Sequence, residues 1–183
     1  WTAPGVTIVP KTPDIVFPQE LDLLEKPAFK WRLTSYNWPG GDRAFRAHQG
    51  ENNGNHGPDA EYGATHYHDG RCHSYFRFIT PAEFWDTHPE YFSEINGQRI
   101  REATQLCLTN PEVMEIVVER MLARMEADPD ATQHNFSQMD YYNQCQCENC
   151  RAMNEQYQTD GGTQFWFVNE LARRTSEVYP NKL

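Results

Sequence analysis

The sequence predicts an α/β fold, a partial (β/α)8 barrel comprising roughly its N-terminal half. Three observations carry this: strand-like and helical patterns alternate from residue 29 onward, two long amphipathic helices follow strand candidates, and the length of 183 residues falls short of the ~250 typical of a complete barrel. Such alternation favours parallel strands joined by helical crossovers, in a barrel or a doubly wound sheet, and half a barrel is the most economical account of the length. Residues 1–28, with "VPKTPDIVFPQ" and "EKPAF", read as an extended linker, because each proline forbids helix and removes a ladder donor. The barrel segment then spans 29–183. Its first strand candidate is "FKWRLTSY", Phe29 to Tyr36. Residues 37–70 are rich in Gly, Asn and His and read as a long loop.

"CHSYFRFI", Cys72 to Ile79, is the second strand candidate. Thr80 can cap the turn that follows, with Pro81 at the first helical position and Glu83 completing a capping box. "ATQLCL", Ala103 to Leu108, is the third. It runs into a helix capped by Asn110 and opened by Pro111, with Met114, Val117, Val118, Met121, Leu122 and Met125 as an apolar stripe. After the "DPDA" turn, "TQHNFSQM", Thr132 to Met139, is the fourth strand candidate. "CENCRAMNEQY" reads as a short helix, and "GGTQFWFVNELARRTSEVYP" as a long one with Phe165, Val168, Leu171, Ala172 and Val178 on or near one face.

A net charge of −10 argues against nucleic acid and anionic membrane surfaces, since both need a basic patch. No apolar run approaches the ~20 residues of a bilayer span, and the N-terminus has no signal-peptide pattern. The 13% aromatic content supplies rings for a core or for stacking on a ligand. Three of the five cysteines lie within six residues in "CQCENC".

Four ordered blocks, "CHSYFRFITPAEFWDTHPEYFSEINGQR", "QLCLTNPEV", "CQCENCRAMNEQY" and "FVNELARRTSEVYP", resemble the secreted bacterial domain-of-unknown-function family numbered 4838. The segments "WTAPGVTIVPK" and "EKPAFKWR" resemble the junction between that family's N-terminal α/β domain and its barrel. The resemblance implies that residues 1–28 link to a missing N-terminal domain and that the C-terminal half of the barrel is also missing, so the remainder of its own chain is a partner. It further implies a secreted, periplasmic or cell-surface protein related to glycoside hydrolases of the α-glucuronidase and hexosaminidase kind. The expected partner is a carbohydrate substrate, and no cofactor is implied beyond a possible structural zinc. As an isolated half barrel the chain would expose two strand edges, and weak stability, self-association or no activity is expected of it.

Barrel enzymes place their working groups at the C-terminal ends of strands. Asp140, closing "SQMD", holds that position and is the candidate general acid, with an exposed or turn-capping aspartate as the alternative. The corresponding acid in α-glucuronidases is a Glu, and no second carboxylate is evident. Gln138 lies two residues earlier, on the same side of an extended chain, where it could bond a sugar hydroxyl. Tyr141, Tyr142 and Trp38 could stack on a pyranose face, or simply pack. His73 matches a family histidine and is a candidate substrate contact; with His66 and His68 it forms a poor metal pattern. Cys107, Cys145, Cys147 and Cys150 could hold a tetrahedral zinc, form two disulfides, or remain buried thiols. Under each reading they anchor the loop behind Asp140. Cys72 reads as a small buried hydrophobe, and the "NFS" sequon at Asn135 is discounted.

Overall fold

In the computed structural model, the described residues are 72–182 apart from Thr132, the stretches 16–22, 24–29 and 42–52, and the single positions 6, 11, 14, 32 and 63. The chain divides into two compact units, residues 1–66 and 67–183. In the first, a short helix α1, Arg43–His48, interrupts the segment expected to be loop, capped by the Asp42 side chain accepting from the Phe45 amide. The chain after α1 folds back. The Asn52 amide donates to the Arg32 carbonyl at 3.0 Å, and the Arg32 amide donates to Asn52 Oδ1 at 2.7 Å.

The second unit contains α2, Pro81–Phe84; a hairpin of β1, Glu94–Ile95, and β2, Gln98–Arg99; and the helices α3, Pro111–Ala127, α4, Glu148–Gln156, and α5, Gly162–Ser176. Two 3-10 turns, Tyr75–Arg77 and Pro89–Tyr91, complete it. The partial barrel is therefore overturned: among the described residues there are five α-helices and one two-stranded antiparallel sheet, with no parallel ladder. The sheet edges of a half barrel consequently do not arise among the described residues. The first strand candidate lies mostly outside the described residues. The second candidate is a 3-10 turn, the third makes only an isolated antiparallel bridge, Phe92 to Leu106, and the fourth carries no strand over 135–139.

The physical reason lies in the side chains of those segments. A strand in a parallel sheet gives its amides and carbonyls to neighbouring backbones. Here polar side chains take them instead. The Ser137 amide donates to Ser74 Oγ at 2.9 Å, and the Ser74 hydroxyl donates to Asn135 Oδ1 at 2.8 Å. The Gln105 amide group does more. Its Nε2 donates to the carbonyls of Met139 and Tyr141, both at 2.8 Å, while its Oε1 accepts from the Met139 amide at 2.9 Å. One side chain thus stands where a neighbouring strand would be.

The helices follow the sequence more closely. Asn110 caps α3 by accepting from the Glu112 amide at 2.9 Å, and Pro111 opens the helix. Val113, Met114, Val117, Met121 and Met125 are buried, whereas Val118 and Leu122 sit at the edge of the stripe. Thr80 caps α2, but the expected capping box does not close: Glu83 pairs with Arg120 of α3. On α5 the buried face is Thr163, Phe167, Leu171 and Thr175, spaced by four; Phe165 and Val178 are exposed. Arg174 of α5 reaches Glu115 of α3 at 2.6 Å.

The core joins α3 and α5 to the segments before and between them. Phe136 stacks on Phe167 at 5.0 Å and lies 4.6 Å from Tyr75, whose hydroxyl donates to Gln164 Oε1. The hairpin turns at Asn96 and Gly97, both with positive φ, 51° and 78°, as a two-residue Asn-Gly turn requires. Lys182 donates to carbonyls just beyond α3, among them Asp128 O at 2.7 Å and Ala131 O at 3.0 Å, and so closes off that helix end.

The α4–α5 corner leaves no room at Gly162. A Cβ there would stand 2.7 Å from Tyr157 Cβ and 3.0 Å from the Asn154 Cα and the Met153 carbonyl oxygen. Two of those three neighbours are backbone, so the corner must open. Gly162→Ala is expected to lower stability by ~1–3 kcal/mol, despite alanine's better helix propensity. Chemical denaturation measures this; a neutral or stabilising substitution would show that the corner yields freely.

A candidate metal centre beside an amide-lined pocket

Four of the five cysteines come together. The antiparallel bridge beside Phe92 sets the Cys107 amide on the Tyr91 carbonyl at 2.8 Å, and the turn closed by the Asn110 amide on the Cys107 carbonyl leads into α3. From the other direction, the Gln146 amide donates to the Glu94 carbonyl at 2.8 Å, holding 145–147 against the hairpin, and Cys147 is the N-cap residue of α4. Cys150 lies one turn into α4, on its buried side.

The sulfurs of Cys107, Cys145, Cys147 and Cys150 all lie within 4.8 Å of one another. Cys107 Sγ is 3.7 Å from Cys147 Sγ and 3.9 Å from Cys150 Sγ. All four are free thiols and buried. Polar groups point at them: the Glu94 amide donates to Cys145 at 3.4 Å, Arg99 Nη1 lies 3.6 Å from the same sulfur, and Thr109 Oγ1 lies 3.2 Å from Cys150. The neighbouring sulfurs of Cys145 and Cys150, together with Arg99, hold Cys107 far below the ordinary thiol range against the opposing effect of burial. Interaction of its sulfur with Cys107, with burial, pushes Cys145 up to about 12, and the same causes raise Cys150.

The cluster contributes to the lining of two clefts. Cys107 and Cys147 face a polar cleft of about 430 Å³ with Glu90, Glu94, Arg99 and Glu148. Cys145 and Cys150 line a second cavity, of about 320 Å³. Its apolar surface includes Tyr75, Leu106 and Leu108. Its polar surface is mostly amide, from Gln105, Gln138, Gln144, Asn154 and Gln164, with Asp160 as its carboxylate. Gln105 is occupied with the 139–141 backbone, and Asn154 Oδ1 accepts from the amide and hydroxyl of Thr163 at 2.8 and 2.7 Å. The side chains of Gln138 and Gln144 have no partner among the described residues.

A family model described as domain of unknown function (DUF4838) matches residues 1–183. The chain belongs to that family. No curated protein and no solved structure matches the chain. Among the described residues of this DUF4838 chain, no helix is long and apolar enough to cross a membrane.

Of the site residues anticipated from sequence, Gln138 lines the cavity, and His73 is tied to it through a 3.1 Å contact between His73 Nδ1 and the Gln138 carbonyl. His73 is exposed, with φ of 57°. Asp140, Tyr141 and Tyr142 are all exposed beside the cavity segment and do not line it. Tyr142 is 98% exposed, so nothing packs on its ring. Trp38, His66 and His68 lie outside the described residues. Cys72 is exposed, not buried. Asn135, the sequon residue, accepts from the hydroxyls of Ser74 and Ser137. Sequence reasoning missed Gln105, Gln144, Asn154, Asp160 and Gln164, which come from separate segments and share no motif.

Proposed function

We propose that this chain binds a neutral, hydroxyl-rich ligand of carbohydrate type in the amide-lined cavity. The observation that carries the reading is the lining itself. Amides offer both donors and acceptors without charge, which matches hydroxyls that donate and accept at once, and the apolar surface of Tyr75, Leu106 and Leu108 suits a C–H-rich ring face. An anionic ligand finds less there: among the described residues no Lys or Arg lines the cavity.

Binding is favoured over hydrolysis. Glycoside cleavage needs two carboxylates about the scissile bond, and among the described residues the cavity carries one, Asp160, with Asp140 outside it. Titrating the protein with neutral mono- and oligosaccharides, followed by NMR shifts and calorimetry, tests this. Saturable binding is expected, weakened about tenfold by Gln138→Ala and by Gln144→Ala, the equivalent of one lost hydrogen bond of ~1.4 kcal/mol each. Asp140→Asn is expected to leave binding unchanged. Absence of saturable binding, or indifference to both glutamine substitutions, overturns the reading. Glycoside cleavage that disappears in Asp140→Asn with binding retained would restore Asp140 as an acid.

A further inference from the structure

We infer that Cys107, Cys145, Cys147 and Cys150 form a closed tetrathiolate site for one zinc ion. The geometry is the first support. Zinc bound by four thiolates at ~2.3 Å sets the edges of its sulfur tetrahedron at ~3.8 Å; the Cys107 sulfur lies 3.7 Å from Cys147 and 3.9 Å from Cys150, and no pair among the four exceeds 4.8 Å. A pair of disulfides makes a different pattern, with two contacts at ~2.05 Å and the bonded pairs separated by ordinary van der Waals distances. Here the four sulfurs are gathered about one centre.

The second support is the surrounding polarity. Four thiolates and Zn²⁺ leave a net charge of −2, which is costly in a buried position unless donors face the sulfurs. Three groups do so: the Glu94 amide and Arg99 guanidinium toward Cys145, and the Thr109 hydroxyl toward Cys150. An all-apolar thiol cluster would have no use for them. Such groups also orient metal-bound thiolates, and their supply from the hairpin and the turn before α3 explains why both pack here.

The third is what the site holds together. Cys107 comes from the turn before α3, Cys145 and Cys147 from the segment paired with the hairpin, and Cys150 from α4. No two of these segments are joined by a ladder longer than the bridge at Phe92. Four protein ligands complete the coordination, so the ion is structural, with no open position for substrate or water. On binding, each remaining thiol proton passes to solvent as its sulfur bonds the metal, and no change of redox state occurs.

The test uses the full chain, purified without added metal or chelator. One equivalent of zinc by elemental analysis is expected, with four of the five thiols unreactive to a thiol reagent until a strong chelator is added, and with the melting temperature falling on chelation and recovering with added zinc. Replacement by Co²⁺ should give the thiolate charge-transfer bands and intense visible bands of a tetrahedral sulfur site. Cys72→Ser, at the exposed cysteine outside the cluster, is expected to keep the full equivalent. Cys107→Ser with Cys150→Ser is expected to lose it. Should that variant not fold, Cys147→His separates the cases, because imidazole can replace a thiolate as ligand: metal is retained and the Co²⁺ spectrum shifts toward three sulfurs. Absence of metal with no thiol protection by added zinc overturns the site, as does an intact mass lowered by the four hydrogens of two disulfides.

Discussion

Gln105→Leu is expected to lower stability by ~2–4 kcal/mol, although leucine matches glutamine in size and the position is only 2% exposed. Burial of an apolar residue there would ordinarily be favourable. The cost comes from what the amide leaves behind: the Met139 amide and the Tyr141 carbonyl lose their partners together, while the Met139 carbonyl keeps only the Tyr141 amide at 2.8 Å. Each unsatisfied buried group costs ~1–3 kcal/mol, less where water can reach it. Met139 is half-buried and Tyr141 exposed, so the unpaired Met139 amide dominates. Urea denaturation should show a lowered midpoint with an unchanged slope, and hydrogen exchange at the Met139 amide should accelerate more than at α3. Gln105→Glu provides a sharper contrast. It keeps an acceptor for the Met139 amide but turns a second oxygen toward two carbonyls, and is expected to be at least as damaging near neutral pH. If either variant shifts the midpoint by less than ~0.5 kcal/mol, water has replaced the amide, and the segment is not held in this way.

Phe167→Ala carries the largest expected loss, ~3–5 kcal/mol. Phe167 is fully buried, stacks on Phe136 and thereby links α5 to Tyr75 and the cavity wall. Its truncation opens a void bounded by rings that cannot close over it. The comparison is Phe165→Ala, two positions earlier on the same helix. Phe165 is 60% exposed, so its loss should stay within ~0.5 kcal/mol. Denaturation of the two variants side by side decides which face of α5 is inward; equal losses would contradict the observed rotation of the helix.

That contrast also shows where the sequence was legible. α3 could be read because three independent signals agree: an Asn cap, Pro at the first position, and a stripe that repeats over four turns. α5 could be read as a helix, but its aromatic cluster of Phe165, Trp166 and Phe167 lets the apolar face be drawn on either side, and only packing against Phe136 chooses Phe167. The hairpin has a turn signal in Asn96-Gly97, but its strands are only two residues long, too short for alternation to mark them. The barrel failed for a more general reason. Short runs such as "ATQLCL" and "TQHNFSQM" have strand-like composition, yet their Thr, Gln, Asn and Ser residues can satisfy a backbone without a ladder, and periodicity does not register that competition. Close spacing groups Cys145, Cys147 and Cys150 in the sequence, whereas Cys107 reaches them by an antiparallel bridge and turn, not by the neighbouring end of a parallel strand.

The hold that Gln105 exerts on residues 139–141 reaches only main-chain atoms, and it is indifferent to what those residues carry. Met139 partly packs on the core, but Gln138, Asp140, Tyr141 and Tyr142 point away from any structural duty. Their identities are therefore interchangeable at little cost to folding. A surface built in this manner can change its chemical preference by point substitution while its position stays fixed, and the residue under the tightest constraint is the one beneath it.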